Sequence, residues 1–133
     1  MKKNLFLLLT FLSMNVSAEC WVVNNFKGYA AYNEDKYQFQ ESSLMGGDIN
    51  INISDNEVSV KQVGNSLFGH GVKFNRVSKT AIMGMDDSLG ETVIESWAIT
   101  KEKKVLFSRI NISRDTPEMS STTSLVGDVI GKC

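Results

Sequence analysis

Three carboxylates lie close together in the chain, Asp86, Asp87 and Glu91, in a stretch whose composition is typical of a loop. Clustered carboxylates can hold a cation or contact a basic partner. A calcium-binding loop supplies oxygen ligands at more positions, and in an alternating pattern. We therefore predict no metal site, and a solvated turn is the simplest interpretation. If the turn has a function, these three residues are candidate contacts for a partner.

A second candidate is the glycine-rich stretch around His70, the only histidine of the chain. A single histidine excludes a histidine-rich metal site and a triad with a second histidine. The flanking glycines would let the backbone approach a partner closely. The simpler interpretation is a sharp turn whose apolar residues cover one end of the core. The candidate contacts here are Phe68, Gly69, His70 and Gly71.

Glu95 is the one carboxylate on an otherwise apolar strand face, which it shares with Val93, Trp97 and Ile99. A buried carboxyl with a raised pKa would be a candidate acid. We favour a register shift at a bulge, or a place at the sheet margin, because unpaired buried glutamate is rare. The chain has no nucleophile-elbow motif and no phosphate-binding loop. We therefore predict a protein that is not an enzyme and has no cofactor.

The first 18 residues have the pattern of a signal peptide. Lys2 and Lys3 precede a short apolar run over residues 5–12, and Val16-Ser17-Ala18 is a small-residue cleavage pattern. The run is roughly half the ~20 residues that a membrane-spanning helix needs. We expect residues 1–18 to be removed and residues 19–133 to form a single β-rich domain, periplasmic or secreted, with no membrane span.

Charge and cysteine content restrict the partners. Without Lys2 and Lys3, 12 of the 14 basic residues remain against 15 acidic ones, a net charge of −3 with no basic block. This argues against nucleic acid as the partner. Two cysteines, Cys20 and Cys133, lie at the two ends of the expected domain. In an oxidising compartment we predict that they pair within the chain, although a free pair or bridges between chains are alternatives.

The clearest structural signal is a hairpin over residues 48–61. Isoleucines alternate with asparagines at positions 49–53, and Val58 and Val60 follow Asp55-Asn56. Asp and Asn tolerate the left-handed conformation of a type I′ turn. That turn would place Ile53 opposite Val58, and all five apolar side chains on one face.

The remaining elements complete an all-β expectation. We predict a first strand from Cys20 continuing through a bulge to Tyr32, a half-buried strand at Tyr37 and Phe39, and a hairpin of residues 91–100 and 105–112. Thr116-Pro117-Glu118 resembles a helix start, and apolar residues at helical spacing follow it. The predicted fold is mainly antiparallel, a small sandwich or barrel-like sheet with a short C-terminal helix.

The overall plan is similar to periplasmic inhibitor and immunity proteins, which are short, exported, β-rich and clipped by a disulfide. The similarity rests on architecture alone and assigns no residue. We expect a non-enzymatic binding protein of this type that acts on a secreted or periplasmic protein. Alternatives are a carrier of small apolar ligands with a barrel pocket, or a subunit of a surface assembly; the oligomeric state is left open.

Overall fold

A computed structural model describes residues 19–44, 46–63 and 71–133. Strands dominate this part of the chain, and the rest consists of turns, including 3₁₀ turns at Asn33–Asp35 and Pro117–Met119. The strands are β1 (Glu19–Tyr32), β2 (Phe39–Ser43), β3 (Ile49–Ile53), β4 (Val58–Gln62), β5 (Lys73–Ser78), β6 (Ala81–Ser88), β7 (Glu91–Ile99), β8 (Lys104–Ser113) and β9 (Ser121–Lys132).

All strand pairs are antiparallel, and the strand order is β4-β3-β1-β9-β8-β7-β6-β5. β2 lies outside this order and pairs with β1 along the same edge as β3, farther along that long strand. β4 and β5, at the two ends of this order, contact each other. An ion pair between Arg76 of β5 and Asp55 of the β3–β4 turn also joins them. The sheet is therefore nearly closed into a barrel, which confirms the all-β, antiparallel prediction.

The hairpin of β3 and β4 has the predicted register, with Ile53 opposite Val58 and Ile51 opposite Val60. The predicted turn type is wrong, because neither Asp55 nor Asn56 has a positive φ. The backbone N–H of Ser54 instead donates to the carbonyl of Glu57 (2.8 Å), and the Ser54 hydroxyl accepts from the Glu57 N–H (2.9 Å). The hydrophobic pattern was thus sufficient to set the register without the turn conformation.

Other sequence predictions hold in part. β1 continues to Tyr32 through an irregularity between Asn24 and Lys27, as expected. The hairpin of β7 and β8 is confirmed. The strand expected at Tyr37 and Phe39 begins only at Phe39, and both rings are more than half exposed. Tyr37 lies in the preceding turn at φ +57°.

The predicted C-terminal helix is wrong. Residues after the 3₁₀ turn at Pro117–Met119 form β9, which is hydrogen-bonded to β1 on one side and to β8 on the other. Leu125 faces the core and Val126 faces outward, in the alternation of a strand. Apolar side chains lie on both faces of this central strand, and their combined positions matched the spacing expected of a helix.

The core fills the barrel with aromatic and aliphatic side chains. Phe26 lies edge-on to Trp97, with ring centroids 5.7 Å apart, and Trp97 lies 4.5 Å from Phe107. Gly127 of β9 has no side chain where the Phe26 ring passes, since a Cβ there would lie 2.6 Å from the ring. β1, β7, β8 and β9 are therefore joined through one aromatic cluster.

The predicted disulfide between Cys20 and Cys133 is confirmed. It joins the start of β1 to the residue after β9, where the Cys133 N–H also donates to the Cys20 carbonyl (3.3 Å). Within the described ranges there is no helix long and apolar enough to cross a membrane. The predicted signal peptide, residues 1–18, lies outside the described residues.

Candidate functional site

The antiparallel strand directions bring four segments to one end of the barrel. They are the end of the β6–β7 hairpin at 86–91, the β8–β9 connection at 114–120, the turn after β1 at 33–38 and the residues that lead into β5 at 71–73. The Arg114 N–H donates to the Gly90 carbonyl (2.9 Å), and the Asn33 N–H donates to the Ser120 carbonyl (2.9 Å). These four segments contain seven carboxylates, Glu34, Asp35, Asp86, Asp87, Glu91, Asp115 and Glu118, against Lys36, Lys73 and Arg114. We call these segments the acidic end.

Asp87 is fixed by its neighbours. Its Oδ1 accepts hydrogen bonds from Thr92 Oγ1 (2.8 Å) and from Arg114 Nη1 (3.0 Å), and Arg114 Nη1 also donates to Thr92 Oγ1 (2.8 Å). The hydrogen bond from Thr92, then those from Arg114 and its positive charge, lower the pKa of the Asp87 carboxyl. The network ties β6, β7 and the β8–β9 connection together, so the exposed carboxylate has a defined position.

Asp86 brings together two stretches that the sequence singled out separately. Its Oδ2 accepts from Ser88 Oγ (2.7 Å). Gly71 lies against the same carboxylate, at φ +84°, and a Cβ at that position would approach Asp86 Oδ2 to 2.9 Å. The end of the predicted contact stretch therefore meets the predicted acidic contacts. Phe68, Gly69 and His70 lie outside the described residues.

Leu89 is the residue that the sequence did not single out. β6 continues through Asp86 and Asp87 to Ser88, so the stretch expected as a loop is reduced to the two-residue turn Leu89-Gly90. Both turn residues have positive φ, +51° and +77°, as a type I′ turn requires. The Leu89 side chain is 97% exposed. A leucine held in the left-handed region costs about 1–2 kcal/mol, so both its conformation and its exposure are unfavourable for folding alone.

An apolar row runs across the outer face of the sheet beside this turn. Met85 lies opposite Ile94, and Ile94 lies opposite Ile110, on three neighbouring strands. All three point outward and are exposed, and Ile112 is exposed beside them. We call Met85, Ile94, Ile110 and Ile112 the apolar row. Together with Leu89, it gives the acidic end an apolar flank.

The acidic end has no arrangement suited to a metal. Among the residues placed by the structure, no group of three or more histidine, cysteine or acidic side chains could hold an ion. Asp87 is engaged by Arg114 and Thr92, and Glu91 lies at the first position of β7 opposite Ser113. Asp86, Asp87 and Glu91 thus share one end of the barrel without converging on a point.

Glu95 lies inside the barrel, contrary to the interpretation that placed it at a bulge or margin. β7 pairs without irregularity on both sides of it, with Gly84 and with Arg109, and its side chain is 1% exposed. Trp97 Nε1 donates to its Oε1 (2.6 Å), and Arg109 Nε lies 3.9 Å from its Oε2. Burial raises the pKa of the Glu95 carboxyl, against the opposing effects of the Trp97 hydrogen bond and the Arg109 charge.

Comparison with known proteins assigns no relative: no family model, curated protein or solved structure matches this chain. The candidate site therefore stands on its own geometry, a carboxylate-rich barrel end with an exposed leucine at its tip.

Proposed function

We propose that this chain is an exported, non-enzymatic binding protein of the inhibitor or immunity type, which acts on a secreted or periplasmic protein. In this proposal the acidic end and the apolar row form the contact surface. The proposal rests on one observation above all: Leu89 is held almost fully exposed, in an unfavourable backbone conformation, at the tip of a rigid hairpin. Such local strain is concentrated at ligand contacts in proteins generally.

The surroundings of Leu89 favour a protein as the partner. An apolar anchor with polar groups around it is the usual form of a protein contact, in which a few buried side chains contribute most of the binding energy. Asp87 places a carboxylate beside Leu89, and its hydrogen bonds with Thr92 and Arg114 lower the pKa of that carboxyl. The complementary surface would be an apolar socket bordered by lysine or arginine side chains.

The scaffold suits a binding protein that presents its contacts rigidly. The Asp87–Thr92–Arg114 network and the pairing of β6 with β7 fix the hairpin before any partner arrives. Preorganised contacts lose less conformational entropy on binding. The disulfide is compatible with an oxidising compartment outside the cytoplasm, where an inhibitor of a secreted protein would act.

The alternatives have less in their favour. A carrier of apolar ligands would need space at the barrel centre, which Phe26, Trp97 and Phe107 occupy. A subunit that adds strands edge to edge would have to use the short strand β2, which pairs only with β1 in the described sheet, or β4 and β5, which already contact each other. Neither a pocket inside the barrel nor edge-to-edge strand addition would make use of the exposed Leu89 at the hairpin tip.

Site-specific photo-crosslinking tests the proposal. A photoreactive residue replaces Leu89 in the exported protein, and the matched control replaces Val77, which is also exposed but lies near the opposite end of β5. We expect position 89 to give one discrete, stoichiometric crosslinked polypeptide and position 77 to give none. The proposal would be contradicted by the same products at both positions, or by no product at position 89.

A further inference from the structure

A polar cleft of about 240 Å³ opens beside β2, between that strand and the inward-facing side chains of β8 and β9. Met119 at its rim belongs to the β8–β9 connection of the acidic end, but no carboxylate of the described residues and no residue of the apolar row lines it. Five hydroxyl-bearing residues line it, Tyr32, Ser42, Ser43, Ser121 and Thr123. Each hydroxyl can both donate and accept a hydrogen bond. The lining is therefore suited to a ligand with several polar groups.

Arg109 supplies the positive charge of this cleft. It lies on the inward face of β8, and its side chain is 29% exposed. Its Nε is buried and has no hydrogen-bond partner, because Glu95 Oε2 at 3.9 Å is too distant. Glu95 Oε2 is itself buried and without a hydrogen bond. The guanidinium is thus held beside Glu95 without a hydrogen bond at Nε, while part of the side chain stays exposed at the cleft.

Asn111 adds an acceptor two residues along the same strand face. It lines the cleft, and its Oδ1 is buried without a hydrogen-bond partner. Buried polar atoms nearly always have a partner, and each exception needs an explanation. Both unsatisfied atoms are closed to solvent, but they belong to neighbouring side chains of one cleft wall, so a ligand that drew these two side chains toward it would give each the partner that it lacks.

From this arrangement we infer that the cleft binds a small polyhydroxylated carboxylate, of the chemical class of the sugar acids. The ligand carboxylate pairs with the planar guanidinium of Arg109, which can present two parallel donors to it. Asn111 and the hydroxyl-bearing residues take the ligand hydroxyls, and Phe107 supplies an apolar wall. The cleft is slightly smaller than the 300–1,000 Å³ typical of drug-sized ligands, which fits a single sugar ring.

The state of Glu95 is consistent with an anion in this position. Burial raises the pKa of its carboxyl, so this group is neutral over a wider pH range than an exposed glutamate. Where Glu95 is neutral it gives Arg109 no counter-charge, and where it is ionised its Oε2 stays 3.9 Å from Arg109 Nε. A carboxylate ligand would then supply the counter-charge that Glu95 gives only at a distance.

Titration of the ¹⁵N-labelled protein with glucuronate tests the inference, with glucose, acetate and inorganic phosphate as separate arms. Resonances of the Arg109 and Asn111 side chains report the cleft, and the Trp97 indole reports it through Glu95. We expect saturable shifts with glucuronate, and binding weaker by at least about tenfold for the other three, since each lacks the carboxylate or the hydroxyls.

Variants separate a specific site from a general charge effect. Arg109→Met should weaken glucuronate binding about 10- to 100-fold, and Asn111→Ala about tenfold. The control Lys101→Met removes the same charge from an exposed turn and should bind normally. If Arg109→Met does not fold, Asn111→Ala still decides the matter, because Asn111 has no ion pair to lose.

The inference would be overturned by three results. These are no saturable shift with glucuronate, phosphate binding as tightly as glucuronate, or equal binding by native protein and the Asn111→Ala variant. None of them affects the proposed protein contact, because the crosslinking at Leu89 requires no small ligand.

Discussion

The disulfide offers the sharpest quantitative prediction. Cys20 and Cys133 are separated by 113 positions in sequence, so the bridge closes almost the whole described chain into one loop. In the native sheet the same two residues are already neighbours, because Trp21 pairs with Lys132 and Lys132 Nζ lies 3.1 Å from Glu19 Oε2. We therefore expect the bridge to act mainly on the unfolded state.

The size of the effect follows from the loop. A chain-entropy estimate for a loop of this length gives about 5 kcal/mol at room temperature, with measured bridges often giving less. For a domain of this size, that corresponds to a fall in the melting temperature of roughly 15–30 °C. The native β structure should survive reduction, since the pairing of β1 with β9 does not depend on the sulfur atoms.

The measurement is urea unfolding of the oxidised protein and of a Cys20→Ser, Cys133→Ser variant, followed by circular dichroism. We expect the free energy of unfolding to fall by about 3–5 kcal/mol, and the slope against urea to rise because the open chain exposes more surface. A loss below about 1 kcal/mol would refute the reasoning. So would loss of native β structure in the variant without urea.

Three further predictions concern single residues. Glu95→Gln keeps the acceptor for the Trp97 N–H and removes the titrating carboxyl. Because burial raises the pKa of Glu95, the native protein should lose stability relative to this variant as the pH rises from about 4.5 through the folded-state pKa. Unfolding curves of both proteins across pH measure this difference, and the absence of such a trend would mean that Glu95 is solvated. Ile51→Ala should lower the free energy of unfolding by about 2–5 kcal/mol, whereas Val77→Ala should change it by under about 0.5 kcal/mol; equal urea midpoints for the two variants would argue against the assigned core. Leu89→Asn should raise the free energy of unfolding by about 1 kcal/mol, because asparagine tolerates positive φ, and a lower melting temperature would contradict this.

The sequence predicted features that are set by strand alternation. The isoleucines of β3 gave the register of Ile53 with Val58, since slipping by one residue would turn every apolar side chain outward. The same pattern could not give the turn conformation. Asp55-Asn56 is compatible with several turns, and the Ser54–Glu57 hydrogen bonds that close this one involve residues outside the pair.

The C-terminal helix failed for a tertiary reason. Apolar residues at 125, 126, 129 and 130 fit a helical face, but β9 lies between β1 and β8 and uses both of its faces. Only the position of β9 in the sheet distinguishes the two patterns. The β-branched residues of this segment, Thr122, Thr123, Val126, Val129 and Ile130, were a local signal in favour of a strand.

The candidate site was predictable in its carboxylates and not in its exposed leucine. Asp86 and Asp87 were visible as an acidic pair, whereas nothing in the sequence indicates that Leu89 is 97% exposed. For the interior, alternation correctly placed Glu95 on the buried face. We predicted a bulge or a margin position for Glu95 because buried glutamate is rare. Arg109 occupies an inward position on the neighbouring strand β8 and could have indicated a countercharge.

The central claim is that the exposed leucine contacts a protein partner. Once crosslinking has identified that partner and the free protein has been purified, calorimetric titration tests the claim most directly. We expect the Leu89→Asn variant to keep the fold, so that its affinity isolates the lost side chain; Val77→Thr is the matched control. We predict that Leu89→Asn weakens binding roughly 30-fold, as expected for a contact worth about 2 kcal/mol, and that Val77→Thr binds like the native protein. Native affinity in Leu89→Asn would contradict the claim.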